Sequence, residues 1–318
     1  MGSDAGPVGC RGQWAWVWRL AAYASLLFLA LLTFQALLGA LDPASIGEFT
    51  LWGVGASVAA AFVAGWVMMS RVESIPPAAL GLVVNRQAAR DLSLGCGIGV
   101  GLLGSVVLVM AIAGWLNVTG TGVSSEVLAG GMPYVTVLLL LAAFFEELAI
   151  RGYPFQLLAG AHGPGVAVGS TAVVFAVLHG ANPGVGWGAM GNTLLAGILL
   201  GVLYWRTLSL WFVTGTHFAW NWTMGVAAGL PVSGLDVGPV LLDVSVSGPD
   251  LWTGGAYGPE GGLLLTVATV IGIAWTVNTS RLSRDPAILA LGPLIGGAME
   301  RAHPLSGVAR APRIGSER

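Results

Sequence analysis

The chain has 318 residues, 55% of them hydrophobic and only 9% charged, with a mean hydropathy of +0.81. A soluble domain carries roughly 25% charged residues, so the composition excludes an ordinary soluble protein and indicates an all-α, polytopic membrane protein. At a net charge of −2, no nucleic-acid partner is expected; the first partner implied is the lipid bilayer.

A membrane span needs about 20 apolar residues. Taken in chain order, the apolar runs predict helices at 20–41, 51–70, 92–116 and 134–158, then 164–180, 189–205, 208–228 and 261–279. These make about eight transmembrane helices. The first run is too long for a signal-peptide core and lacks an Ala-x-Ala cleavage site. Residues 71–91, with Ile75-Pro-Pro77, are expected to lie along the inner interface. Residues 229–260 are Gly-, Pro- and Asp-rich and long for a loop, which predicts a folded external cap or a flexible lid.

All 13 basic residues are arginine, which fits the codon bias of a prokaryote, and their positions set an orientation. With the N-terminus inside, Arg11, Arg19, Arg71, Arg86, Arg90, Arg206, Arg281 and Arg284 are cytoplasmic, as are the arginines from Arg301 to Arg318. Arg151 sits near the cytoplasmic end of the fourth helix. The opposite loops hold Asp42, Glu48, Glu126, Asp236, Asp243, Asp250 and Glu260 and no arginine. The positive-inside rule then places both termini in the cytoplasm of a multi-pass cell-membrane protein. Residues 1–13 read as a cytoplasmic tail, 14–279 as one membrane-embedded domain, and 280–318 as a disordered cytoplasmic tail. The C-terminal Gly315-Ser-Glu-Arg318 is not a CaaX box, so prenylation by that route is not expected. Cys10 and Cys96 form neither a disulfide framework nor a metal-binding spacing.

Chemistry concentrates in three places. Glu146, Glu147 and Arg151 end the apolar run that begins near Val135, and ionisable residues inside a span are functional candidates by default. Adjacent helical residues point about 100° apart, whereas Glu147 and Arg151 stand at i,i+4 with the acid first, the favoured arrangement for an ion pair. That leaves Glu146 as the unpartnered carboxylate, suited to general acid–base work. His179 follows Phe175 by four residues, and His217 precedes Asn221 by four, so the second pair shares one helical face. An imidazole and a carboxamide presented together serve as oxyanion donors or equally as polar glue between helices. His162 and His303 fall outside the predicted core, and Asn192 is a lesser polar member within it.

Glu146-Glu147-x-x-x-Arg151, Phe175-x-x-x-His179 and His217-x-x-x-Asn221, in that order on separate apolar helices, resemble the three signature motifs of the CPBP (CAAX protease and bacteriocin-processing, Abi) intramembrane proteases. Leu195–Thr207 and Thr253-Gly-Gly-Ala-Tyr-Gly-Pro-Glu260 are similar to that family as well. The resemblance is strong over 134–228, weaker on either side, and absent in both tails. It implies an eight-helix intramembrane endopeptidase whose helices enclose a polar intramembrane cavity, acting on a membrane-associated or lipidated polypeptide. Glu146 and His179 would activate water, His217 and Asn221 would form the oxyanion hole, and Glu147 with Arg151 would support the site.

No cofactor is expected. The rival within the same chemistry is a zinc peptidase using Glu146, His179 and His217, which lacks the His-Glu-x-x-His pair of zinc helices. A non-catalytic bacteriocin-immunity or scaffold protein is the other alternative. One count disagrees with the site: at 1.5 Å per residue, the predicted helix starts put Glu146 and His217 nearer the inner leaflet and His179 nearer the outer. A shift of the predicted fifth helix, 164–180, by two turns, or a break in it, is expected to bring them level.

Overall fold

The computed structural model describes residues 14–41, 49–120 and 124–291. The fold is helical: α1 (Ala15–Leu41), α2 (Leu51–Val67), α3 (Arg86–Ile112), α4 (Ser125–Arg151), α5 (Tyr153–His162), α6 (Pro164–Leu178), α7 (Trp187–Thr207) and α8 (Leu210–Trp222). Strands β1 (Leu116–Gly120) and β2 (Asp243–Val246), the short α9 (Asp250–Thr253), α10 (Leu263–Asn278) and α11 (Pro286–Leu289) complete it. Six helical stretches among the described residues are long and apolar enough to cross a membrane: 15–41, 51–73, 86–112, 125–162, 164–181 and 187–207. The chain is an integral, multi-pass membrane protein.

The helix predicted at 134–158 is two helices. Its first begins early because the Ser124 side chain accepts from the N–H of Val127 and caps it. At the other end the N–H of Gly152 bonds Glu147 O, five residues back, and the backbone departs from helical geometry at ψ −118°. A Cβ on residue 152 would lie 2.3 Å from Leu148 O, so glycine is required there. Pro154 then sits in the first turn of α5, where its missing N–H costs nothing. Unbroken, 125–162 would measure about 57 Å, far beyond a ~30 Å hydrocarbon core.

This break removes the disagreement in depth. The chain reverses at Gly163, which has φ +87°. Glu146 lies 17 residues before that turn and His179 lies 16 after it. The two arms of the hairpin differ by one residue, and the two side chains come out level, 3.9 Å apart. Arg151, expected near the end of a span, sits instead at the break and is fully buried.

α3 and α8 form the tightest helix pair. Cβ atoms added at Gly95 and Gly99 would lie 2.1 Å from Phe212 O and 2.3 Å from Thr216 O, and one at Gly215 would lie 2.3 Å from Leu92 O. Small residues on facing stripes let the backbones touch, the packing by which helices associate in lipid. α1 is different: Tyr23 is its one buried residue. The Tyr23 hydroxyl donates to Ala149 O at 3.1 Å, and its ring stacks on Tyr153. Arg19 pairs with Glu73 at 3.4 Å, and Glu73 accepts from the Tyr153 hydroxyl at 2.7 Å.

Residues 229–262 form a folded cap. β2 pairs antiparallel with β1, which starts where the predicted third helix had been extended to 116. Residues 280–291 are also ordered, unlike the tail expected from 280 onward. Arg284 lies over the Trp205 ring, and Asp285 caps α11 while accepting from Asn85 at 2.8 Å. The expectations for Arg11, Asp42, Glu48, His303 and the rest of both tails lie outside the described residues.

Candidate active site

α4, α6 and α8 bring the three motifs together. Glu146 Oε2 lies 3.9 Å from His179 Nε2 and 3.9 Å from His217 Nε2. It is buried and accepts no hydrogen bond from the described residues. His179 Nδ1 stands 2.8 Å from Phe175 O, its own i−4 carbonyl. A carbonyl only accepts, so Nδ1 carries the proton, and in the neutral ring Nε2 turns a lone pair toward Glu146.

Glu147 does more than the i,i+4 spacing suggests. Its Oε1 accepts from Arg151 at 3.1 Å and lies 2.9 Å from His217 Nδ1. One carboxylate oxygen therefore joins the arginine to the imidazole on α8. Arg151 also donates to Gly197 O at 3.3 Å and rests on the Phe175 ring, 4.4 Å from its centroid. Phe175 in turn stands 4.5 Å from the His179 ring and 5.8 Å from that of His217. Spacing along one helix finds the Glu147–Arg151 pair but carries no information about His217, 70 residues away.

Glu146, His179, His217 and Asn221 line a cavity of about 1010 Å³. Most of its wall is apolar, including Leu20, Leu27, Leu139, Phe145 and Val174, and polar groups gather around the motif residues and under the cap. His162, which sequence position placed apart from the others, lines the cavity too, edge-on to Trp16. Asn192 lines the same cavity but makes its hydrogen bonds away from the motif residues. Its Nδ2 donates to the backbone oxygens of Glu260 and Gly262, and its Oδ1 accepts from Thr266.

Cap residues, which the motif spacing does not point to, also line this cavity. Glu260 Oε1 accepts from Trp220 Nε1 at 2.9 Å, and Oε2 accepts from the N–H and hydroxyl of Ser233 at 2.6 and 2.7 Å. Asn182 Nδ2 donates to Ser233 O at 3.1 Å. Burial, reinforced by the negative charge of Glu260, pushes the Tyr257 phenol above its ordinary pKa, so this cap residue stays neutral.

Residues 128–223 match the family model described as "Type II CAAX prenyl endopeptidase Rce1-like". No curated protein and no solved structure matches the chain. All three motifs fall inside the matched segment, and its members are proteases. That model is one of the CPBP (Abi) family, to which residues 128–223 of the chain are similar.

Proposed function

We propose that the protein is an intramembrane endopeptidase that hydrolyses a peptide bond in a membrane-associated or lipidated polypeptide. The observation that carries this reading is the convergence of Glu146 Oε2 with two imidazole Nε2 atoms, each 3.9 Å away. A gap of that size is spanned by one water about 2.8 Å from each atom. In this reading Glu146 takes a proton from the water as its oxygen attacks the carbonyl, then delivers the proton to the leaving amine. His179 accepts from the same water through Nε2.

Asn221 and His217 face the developing oxyanion. For His217 Nε2 to donate while Nδ1 bonds Glu147, the ring must be an imidazolium, and the Glu147 carboxylate beneath it stabilises that charge. Glu147 is thereby a support for the oxyanion hole as well as for Arg151. α8 and α10 supply the seventh and eighth spans, the cavity is the polypeptide's binding site, and the termini lie in the cytoplasm of a prokaryotic cell.

The zinc version of this chemistry meets a spacing difficulty. Tetrahedral ligands at 2.0–2.1 Å stand about 3.3 Å apart, and both carboxylate-to-imidazole distances exceed that. No trio of His, Cys, Asp or Glu among the described residues is arranged to hold a metal ion. The Glu–His water mechanism is therefore preferred, and chelation with zinc add-back tests it: activity lost to chelator and restored by zinc would favour the metal.

The direct test is fragment release from a candidate polypeptide in liposomes. Membrane-fraction proteomics of wild type against Glu146→Gln identifies the candidates. Glu146→Gln and His179→Ala are expected to abolish release. Cleavage at the wild-type rate by both variants would sink the assignment, and full biological function in Glu146→Ala would favour the scaffold alternative.

A further inference from the structure

Asn221 makes no hydrogen bond to the described protein that would orient it, and the helix carrying it changes character two residues later, where α8 widens into a π-helical turn at Thr223–Ala227. The two neighbouring indoles are tied down. Trp222 Nε1 donates to Thr136 Oγ1 on α4 at 3.0 Å, and Trp220 Nε1 donates to Glu260 of the cap at 2.9 Å. Asn221 is thus bracketed by two anchors of opposite origin.

Glu260 meets three donors: the Trp220 indole and the N–H and hydroxyl of Ser233. A carboxylate accepts from all three, whereas an amide would set its own NH₂ against one of them. Ser233 is held at φ +49°, a conformation that persists only where surrounding contacts over-determine it. Its carbonyl accepts from Asn182, three residues beyond His179. Glu260, Ser233, Asn182, His179 and Asn221 all line the one cavity.

We infer that Glu260 is a positioning residue: through Trp220 it sets the carboxamide of Asn221, and through Ser233 it ties that setting to the seating of the cap. The inference rests on the proposed peptidase reading for its kinetic consequence and on geometry alone for the anchor. A misplaced oxyanion donor costs on the order of tenfold to a hundredfold in rate.

The test uses the full-length protein in nanodiscs, labelled with 5-fluorotryptophan, with Trp220→Phe identifying the Trp220 resonance. Glu260→Gln is expected to move that resonance and to lower kcat about tenfold with little change in KM. Trp220→Phe, which spares the cap contact, is expected to lower kcat similarly, and the double variant is expected to be no slower than the worse single one. Neither substitution is expected to slow Asn221→Ala further. Additive slowing, or unchanged kcat in Glu260→Gln, overturns the inference. If the wild-type protein cleaves nothing, the peptidase reading falls separately. The resonance then decides: a Trp220 signal unmoved by Glu260→Gln removes the anchor, and a shifted one supports it.

Discussion

α8 and α1 both line the cavity, and they are held to the rest of the fold by different means. α8 lies against α3 with backbone on backbone, through Gly95, Gly99 and Gly215. It carries His217, whose Nδ1 meets a carboxylate already paired with Arg151. α1 packs along α2 and is tied to the core by Tyr23, its stacking on Tyr153, and the Arg19–Glu73 pair. The wall that carries polar chemistry is the wall where side chains have least room to repack. The apolar wall is the more replaceable one, because α1 buries only Tyr23.

Substitutions ranked by expected cost put this contrast at risk. Glu147→Ala heads the ranking, since it leaves Arg151 buried without its partner, a loss of about 3–5 kcal/mol that denaturant unfolding in mixed micelles would register together with loss of cleavage. Next is Gly99→Val: its Cβ would stand 2.3 Å from Thr216 O, and overpacking of this kind costs about 1–3 kcal/mol. It should push α8 away from Glu146, so cleavage falls further than the stability loss alone explains. Tyr23→Phe removes one hydrogen bond and keeps the ring, at about 0.5–1.5 kcal/mol. Arg19→Ala is expected to be smallest, about 0–1 kcal/mol for a partly exposed pair. Equal losses for Tyr23→Phe and Gly99→Val, read by thermal unfolding, would erase the distinction between the two walls.

Much of this architecture is legible from residue spacing. The helices at 164–178, 187–207 and 263–278 lie within about two residues of the apolar runs that predict them. α4 and α5 do not, because the residues on both sides of Gly152 are equally apolar and hydropathy cannot register a change of direction. β1 is five residues long and finds its partner more than 120 residues later, so no local pattern announces it. The individual site residues stand out as rare polar groups in hydrocarbon. The link from Glu147 to His217 does not, because helical periodicity relates positions on one helix and is silent between helices. Glu260 ends the family-like segment Thr253–Glu260, yet its partners Trp220 and Ser233 emerge only in the folded structure.

The reversal at Gly163, with its nearly equal arms to Glu146 and His179, works like a pair of calipers. An insertion in one arm alone would raise one tip by ~1.5 Å and swing it by ~100° per residue. Length can therefore change here only in step on both sides, or in amounts close to whole turns. This stretch is bound by an arithmetic that the cap and the two tails escape.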